Sequence, residues 1–98
     1  MSALVLIDLD VRNEEDMAKY EEAAIALLAK HGARPLARDL QPVNYEGEWH
    51  PNFVVVLEFP SKEAVKRFYD SPEYEPLKQM RFEAAKSNGI VVVETLPV

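Results

Sequence analysis

The chain has 98 residues, 48% of them hydrophobic and 29% charged, with a formal net charge of -6 and no cysteine. That is one domain's worth of chain, residues 1–98, at an ordinary globular balance, and it argues against disorder. It excludes disulfides, thiol nucleophiles and thiolate metal sites, and it fits a cytoplasmic protein. The eleven Lys and Arg are scattered rather than clustered, so no nucleic acid is expected as a partner.

The first stretch, "ALVLIDLDV" (Ala3–Val11), opens with an apolar run, Ala3–Ile7, that is too short to span a bilayer and lacks the basic leader of a signal peptide, so no membrane role is expected. Its odd positions are all apolar, while its even positions begin with Leu4 and Leu6 and turn to Asp8 and Asp10. This reads as a strand covered fully on one face and half on the other. Asn13 follows as an N-cap, with three acids in the first turn of a helix. Met17, Tyr20, Ala24, Leu27, Leu28 and His31 recur at helical spacing, and Gly32 ends that helix.

Residues 33–40, "ARPLARDL", alternate as a strand in which Leu36 and Leu40 share a face with Arg34 and Arg38. Pro35 places this strand at a sheet edge, because it cannot donate to a ladder. A loop over 41–51, "QPVNYEGEWHP", is rich in turn residues. Residues 52–59, "NFVVVLEF", form the most β-prone run and predict a central strand. Ser61 caps a second helix with Ala64, Val65, Phe68 and Tyr69 as its apolar face. The next stretch predicts a short turn over 71–74, a restart near Pro76, and a helix running to an Asn88-Gly89 stop. The last strand covers 90–96.

The order β-α-β-β-α-β, with the second helix broken in two, is the split βαβ or ferredoxin-like α+β pattern. Right-handed crossovers predict that strands one and three are adjacent and parallel, with both helices on one sheet face. The other face is too apolar to be left in water: Val54 and Val56, and Val91 and Val93, join Leu4 and Leu6 there. A two-fold homodimer, sheet against sheet, is the simplest cover, and it would form a dimeric α/β barrel.

Four stretches carry a resemblance: "HGARPLARD" (31–39), "YEGEWHPNFVVVLEFPS" (45–61), "RFYDSPEYEPLKQMR" (67–81) and "GIVVVE" (89–94). With its E-G-x-W-x-P loop and S-P-E-Y turn, the chain resembles the domain-of-unknown-function 1330 family of the dimeric α/β-barrel superfamily. It departs at Gly32-Ala33, where the family often has two glycines, and at Glu94-Thr95, where many relatives have Glu-Gly. The resemblance implies the ferredoxin-like fold and a homodimer. It implies no settled chemistry, although neighbouring families include cofactor-free monooxygenases, lactone isomerases and haem-degrading enzymes.

The candidate site residues each have two readings. Arg81 shares a helical stripe with Tyr74, Leu77 and Ala84, so it faces inward. It is either an anchor for a substrate carboxylate or enolate, or the partner of Asp8, Asp10 or Glu46 in a structural ion pair. Arg34 either lines a cavity or sits at an interface, and Arg38 is otherwise an edge charge that blocks strand addition. His50 is the natural proton-transfer group at neutral pH, or a rim histidine bonded to backbone. Glu46 would be a base if buried, but Gly47 after it suggests an exposed turn. Trp49 and Tyr45 read first as packing, although Trp49 could close one end of a ligand pocket. Tyr69 and Tyr74 flank the Ser71-Pro72 turn, with the Tyr69 hydroxyl expected to reach the cavity. No histidine spacing suits a metal, and no nucleophile elbow or glycine-rich phosphate loop is present, so no cofactor is expected.

These residues support two functions. One is a cofactor-independent enzyme on a small anionic or enolisable molecule, with Arg34 and Arg81 holding charge and His50 or Glu46 moving a proton. The other is a non-catalytic dimeric ligand-binding or stress-related module.

Overall fold

The computed structural model describes residues 2–97. Its elements in chain order are β1 (Ala3–Val11), α1 (Glu14–Lys30), β2 (Arg34–Asp39), β3 (Val54–Phe59), α2 (Lys62–Tyr69), α3 (Glu75–Ala84) and β4 (Ala85–Glu94). The sheet order is β2-β3-β1-β4, which is the ferredoxin-like arrangement with Pro35 on an edge strand. The shortest dimension, 17 Å, leaves room for one sheet and one helix layer. Among the described residues no helix is long and apolar enough to cross a membrane.

Every adjacent pair runs antiparallel. Strands β1 and β3 are therefore neighbours as expected, but they are not parallel. A helical crossover makes the two strands it joins parallel, and those are β1 with β2, and β3 with β4. In each case a strand of opposite direction lies between them.

The helices form where the sequence caps them. The Asn13 side chain accepts from the Asp16 amide at 2.9 Å, over a first turn of Glu14, Glu15 and Asp16. Beyond the His31 C-cap, Gly32 takes a φ of 77°, the left-handed conformation that ends a helix cheaply only at glycine. Ser61 caps α2 by accepting from the Ala64 amide at 3.0 Å. Between α2 and α3 the Ser71 hydroxyl donates to the Phe68 carbonyl at 2.8 Å and accepts from the Tyr74 amide at 3.2 Å. Pro76 then sits in the first turn of α3, where its missing donor is harmless.

The end of α3 departs from expectation. The helix stops at Ala84 and β4 begins at Ala85, so Asn88-Gly89 is no helix stop. In the β1–β4 ladder Asp8 faces Gly89 and Leu9 faces Ser87, which leaves Asn88 as the extra residue of a bulge. What ends the helix is tertiary. The Ala84 carbonyl accepts from the Arg12 and Asn13 amides at 2.9 and 3.0 Å. Ala84 and Ala85 are themselves buried, in a cluster with Leu9 of β1.

A second bulge, at Leu36, has more consequence. Pro35 faces Leu57 and Ala37 faces Val56, so one extra residue lies between them. Because side chains alternate with period two, that slip flips the rest of the strand. Arg34 and Arg38 therefore lie on opposite faces, although the alternation put them together.

The core occupies the helix side of the sheet. One half gathers Val5, Leu27, Leu57, Phe59 and Phe68, and the other Leu9, Met17, Phe53, Ala84 and Ala85. Ile7, Tyr20 and Val55 touch both halves. The opposite face carries Leu4, Leu6, Val54, Val56, Val91 and Val93 with no layer of this chain over it, and Val91 is 56% exposed.

Candidate functional site

A cavity of about 180 Å³ lies where the two halves of the core meet, between the sheet and α1. Its walls are Ile7, Leu9, Val55 and Leu57 from the sheet, and Met17, Tyr20, Ala24 and Leu28 from α1. An engineered apolar cavity of about 150 Å³ holds a benzene ring, so this one suits a molecule of roughly that size.

Three charged residues line this space, Arg81, Glu21 and Arg38, and Arg81 is the buried one. Arg81, on α3, is 2% exposed. Its Nε and Nη1 are fully buried, without a hydrogen-bond partner among the described residues. Its Cζ lies 5.0 Å from the Phe82 ring centroid, which is a weak substitute for an anion. No carboxylate of the described residues lies within ion-pair distance of it. Asp8 and Asp10 occupy the even, outer positions of β1, and Glu46 is exposed in the loop, so the geometry offers Arg81 none of the partners named for it. A buried guanidinium without a partner costs several kcal/mol.

Beside Arg81 stands a tyrosine pair. The Tyr20 and Tyr74 hydroxyls are 2.7 Å apart, Tyr20 on the cavity wall and Tyr74 buried behind it. Burial pushes the Tyr20 hydroxyl far above its ordinary value, and the neighbouring Tyr74 adds to this, while the positive charge of Arg81 opposes it. Tyr20 therefore stays protonated and can donate, but it is no base at neutral pH.

At the exposed end of the cavity, Arg38 meets Glu21 through both guanidinium and carboxylate arms. Its Nε donates to Oε2 at 2.8 Å and its Nη2 to Oε1 at 3.0 Å. The hydrogen bonds to Glu21 hold Arg38 protonated more firmly than usual. Its Cζ also sits 5.1 Å from the Phe53 ring centroid.

The remaining candidates lie elsewhere. Arg34, on the open face, pairs with Glu58 at 2.7 Å and is exposed. That bond, with a second from Ser2, holds the Glu58 carboxyl below its usual range. His50 and Glu46 are exposed residues of the long β2–β3 loop, and they line surface hollows on the open side of the sheet. Trp49, 58% exposed, ties that loop to β1 through its indole Nε1, which donates to Asp8 Oδ2 at 2.6 Å. The Asn44 amide braces the loop from within, donating to the Glu46 carbonyl at 3.2 Å and also to the Trp49 carbonyl. Tyr69 packs beside Tyr74, with the Lys78 ammonium 4.1 Å over its ring, and it does not line the cavity. The structure thus brings Arg81 and Tyr74 together near the cavity, and separates Arg34, His50, Glu46, Trp49 and Tyr69 from it.

Two residues of the cavity, Tyr20 and Glu21, were not among the candidate site residues of the sequence, and Arg38 was read as an edge charge rather than a cavity residue. Glu21 had a signal. It falls four residues after Met17 and three before Ala24, a carboxylate inside an apolar stripe. The placement of Arg38 depends on the bulge at Leu36, which no local pattern marks. Among the described residues no group of three or more His, Asp or Glu could hold a metal ion.

Solved structures share this architecture. The chain matches a protein of unknown function from Rhodopseudomonas palustris at a TM-score of 0.71 and 18% identity, over 99% of this chain and 82% of that one. It matches SnoaB, described as a cofactor-independent oxygenase from Streptomyces nogalater, at 0.62 and 12%, over 99% and 95%. It matches a dimeric protein of unknown function and ferredoxin-like fold from Bacteroides fragilis at 0.55 and 25%, over 96% and 94%. No curated protein matches it. The profile of the family described as domain of unknown function (DUF1330) covers residues 2–96, and the chain belongs to that family.

Proposed function

We propose that this protein is a dimeric small-molecule-binding protein whose cavity takes a flat, mostly apolar molecule with one anionic oxygen seated on Arg81. The observation that carries the reading is the buried, unpartnered guanidinium of Arg81 in a mostly apolar cavity whose other two charged residues, Glu21 and Arg38, pair with each other. Apolar walls supply affinity, and a single convergent cation supplies orientation. The Tyr20 hydroxyl is a second donor close by. The dimer is supported by the apolar open face and by the assembly described for the Bacteroides fragilis protein. In it, the loop with His50, Glu46 and Trp49 belongs to the rim of the paired sheets rather than to the cavity.

The test is a thermal-shift screen of small aromatic monocarboxylates. A ligand that binds only the folded state raises the melting temperature. Stabilisation of the wild type that disappears in Arg81→Met supports the reading. Equal stabilisation of both proteins, or none of either, overturns it.

An enzymatic version has one observation in its favour, the likeness to SnoaB, described as a cofactor-independent oxygenase. A guanidinium that holds a carboxylate also stabilises an enolate, which lowers the barrier to its formation, the proton of the broken C–H bond passing to solvent water or to Glu21 at the exposed end. Exchange of the α-protons of phenylpyruvate in deuterated water separates the versions. Exchange accelerated by the wild type and lost in Arg81→Met means catalysis, and no acceleration means binding alone.

A further inference from the structure

We infer that the cavity selects monoanions and rejects dianions of the same size, and that Glu21 is the residue that enforces the choice. This rests on the reading of Arg81 as the anion anchor. The two ends of the cavity differ in exposure and in charge. Arg81 at the inner end is 2% exposed, whereas at the outer end the Arg38 and Glu21 side chains are 49% and 29% exposed.

The outer end is closed to a second anion by the way its charges are already paired. The Nε and Nη2 edge of Arg38 is engaged by both oxygens of Glu21, so its positive charge is already paired with a carboxylate of the chain. A second hollow of about 340 Å³ adjoins the cavity there and shares Met17, Glu21, Arg38 and Phe53 with it. That hollow is lined by Asp10, Glu14 and Glu21 against the one guanidinium of Arg38. An anionic group projecting from the cavity toward the rim therefore meets the Glu21 carboxylate beside Arg38, with Asp10 and Glu14 in the adjoining hollow and one cation among the three acids. The cavity has about the volume of one ring and Glu21 and Arg38 line it as Arg81 does, so the far end of a ligand anchored on Arg81 by one carboxylate is directed toward this rim. A neutral or cationic far end meets no such repulsion. Specificity here comes from a repulsive element beside an attractive one.

The experiment uses terephthalate and its monoamide, which have the same shape and differ by one charge at neutral pH. Dissociation constants for the full-length wild type and for Glu21→Gln are measured by calorimetry. The amide keeps the shape of the rim and removes its charge. The wild type is expected to bind the monoamide at least about tenfold more tightly than terephthalate, and Glu21→Gln is expected to narrow that ratio severalfold. Equal binding of the two ligands by the wild type overturns the inference while leaving Arg81 as the anchor. An unchanged ratio in Glu21→Gln overturns the assignment to Glu21. Binding of neither ligand overturns the reading of the cavity and this inference with it.

Discussion

At the scale of single residues, the protein holds two groups that an apolar interior disfavours, and each makes a measurable demand on stability. Arg81 is buried with two nitrogens unsatisfied, so its replacement by an unbranched apolar side chain removes a desolvation cost along with the proposed anion contact. Arg81→Met is expected to melt no lower than the wild type, with a gain of about 1 kcal/mol or more on denaturant titration. A loss beyond about 2 kcal/mol would mean that the guanidinium is paired in solution. Tyr20 makes the opposite kind of demand. Its hydroxyl ionises far less readily in the folded chain than in the unfolded one. Above pH of about 10 the unfolded state releases a proton that the folded state keeps, so this group's contribution is full below that pH and lost above it. The loss is at most about 1.4 kcal/mol for each pH unit. Tyr20→Phe costs about 1 kcal/mol at neutral pH through the broken bond to Tyr74. Its deficit should shrink as pH rises past 10, and a deficit that stays constant between pH of about 8 and 11 would show that Tyr20 ionises freely.

At the scale of elements, the termini of the helices and the two bulges decide what faces what. Gly32 has a positive φ, and a Cβ there would lie 3.0 Å from the Pro60 ring. Gly32→Ala is therefore expected to lower stability by about 1–2 kcal/mol, read as a shift in the urea midpoint without a change in slope. A smaller effect would mean that the α1–β2 turn relaxes freely. Element existence and order were legible because each has local causes: Asn13 and Ser61 as caps, Gly32 as a stop, Pro35 at an edge, Pro76 in a first turn. The C-terminus of α3 was not legible, because its last carbonyl is satisfied by backbone amides from Arg12 and Asn13, some seventy residues away in sequence. Asn88-Gly89 carries the composition of a helix stop, and the same two residues serve equally well at a β-bulge.

At the scale of the whole molecule, the sheet has one face covered by helices and one with no layer of the described residues over it. Tyr45 in the long loop is 91% exposed, and Val43 beside it is 77% exposed, on the side where that loop meets the open sheet. In the proposed dimer these apolar residues and Val56, Val91 and Val93 are covered together. Sedimentation of the wild type at micromolar concentration is expected to give a dimer. Val56→Lys, at the middle of the open face, is expected to give a folded monomer with an unchanged far-ultraviolet circular dichroism spectrum. A wild-type monomer would defeat the sheet-against-sheet pairing, and a Val56→Lys dimer would move the interface elsewhere.

What the sequence determined by itself is the set of elements, their order and the inward direction of Arg81. These follow from hydrophobic period and capping chemistry, which act over a few residues. Only the tertiary structure decided which charged residues meet. The even positions of β1 point Asp8 and Asp10 away from Arg81, and one extra residue at Leu36 turns Arg38 to the cavity and Arg34 to the opposite face. The physical reason is the two-residue period of a strand: a single bulge reverses every side chain beyond it, and bulges are set by pairing across the sheet rather than by local sequence.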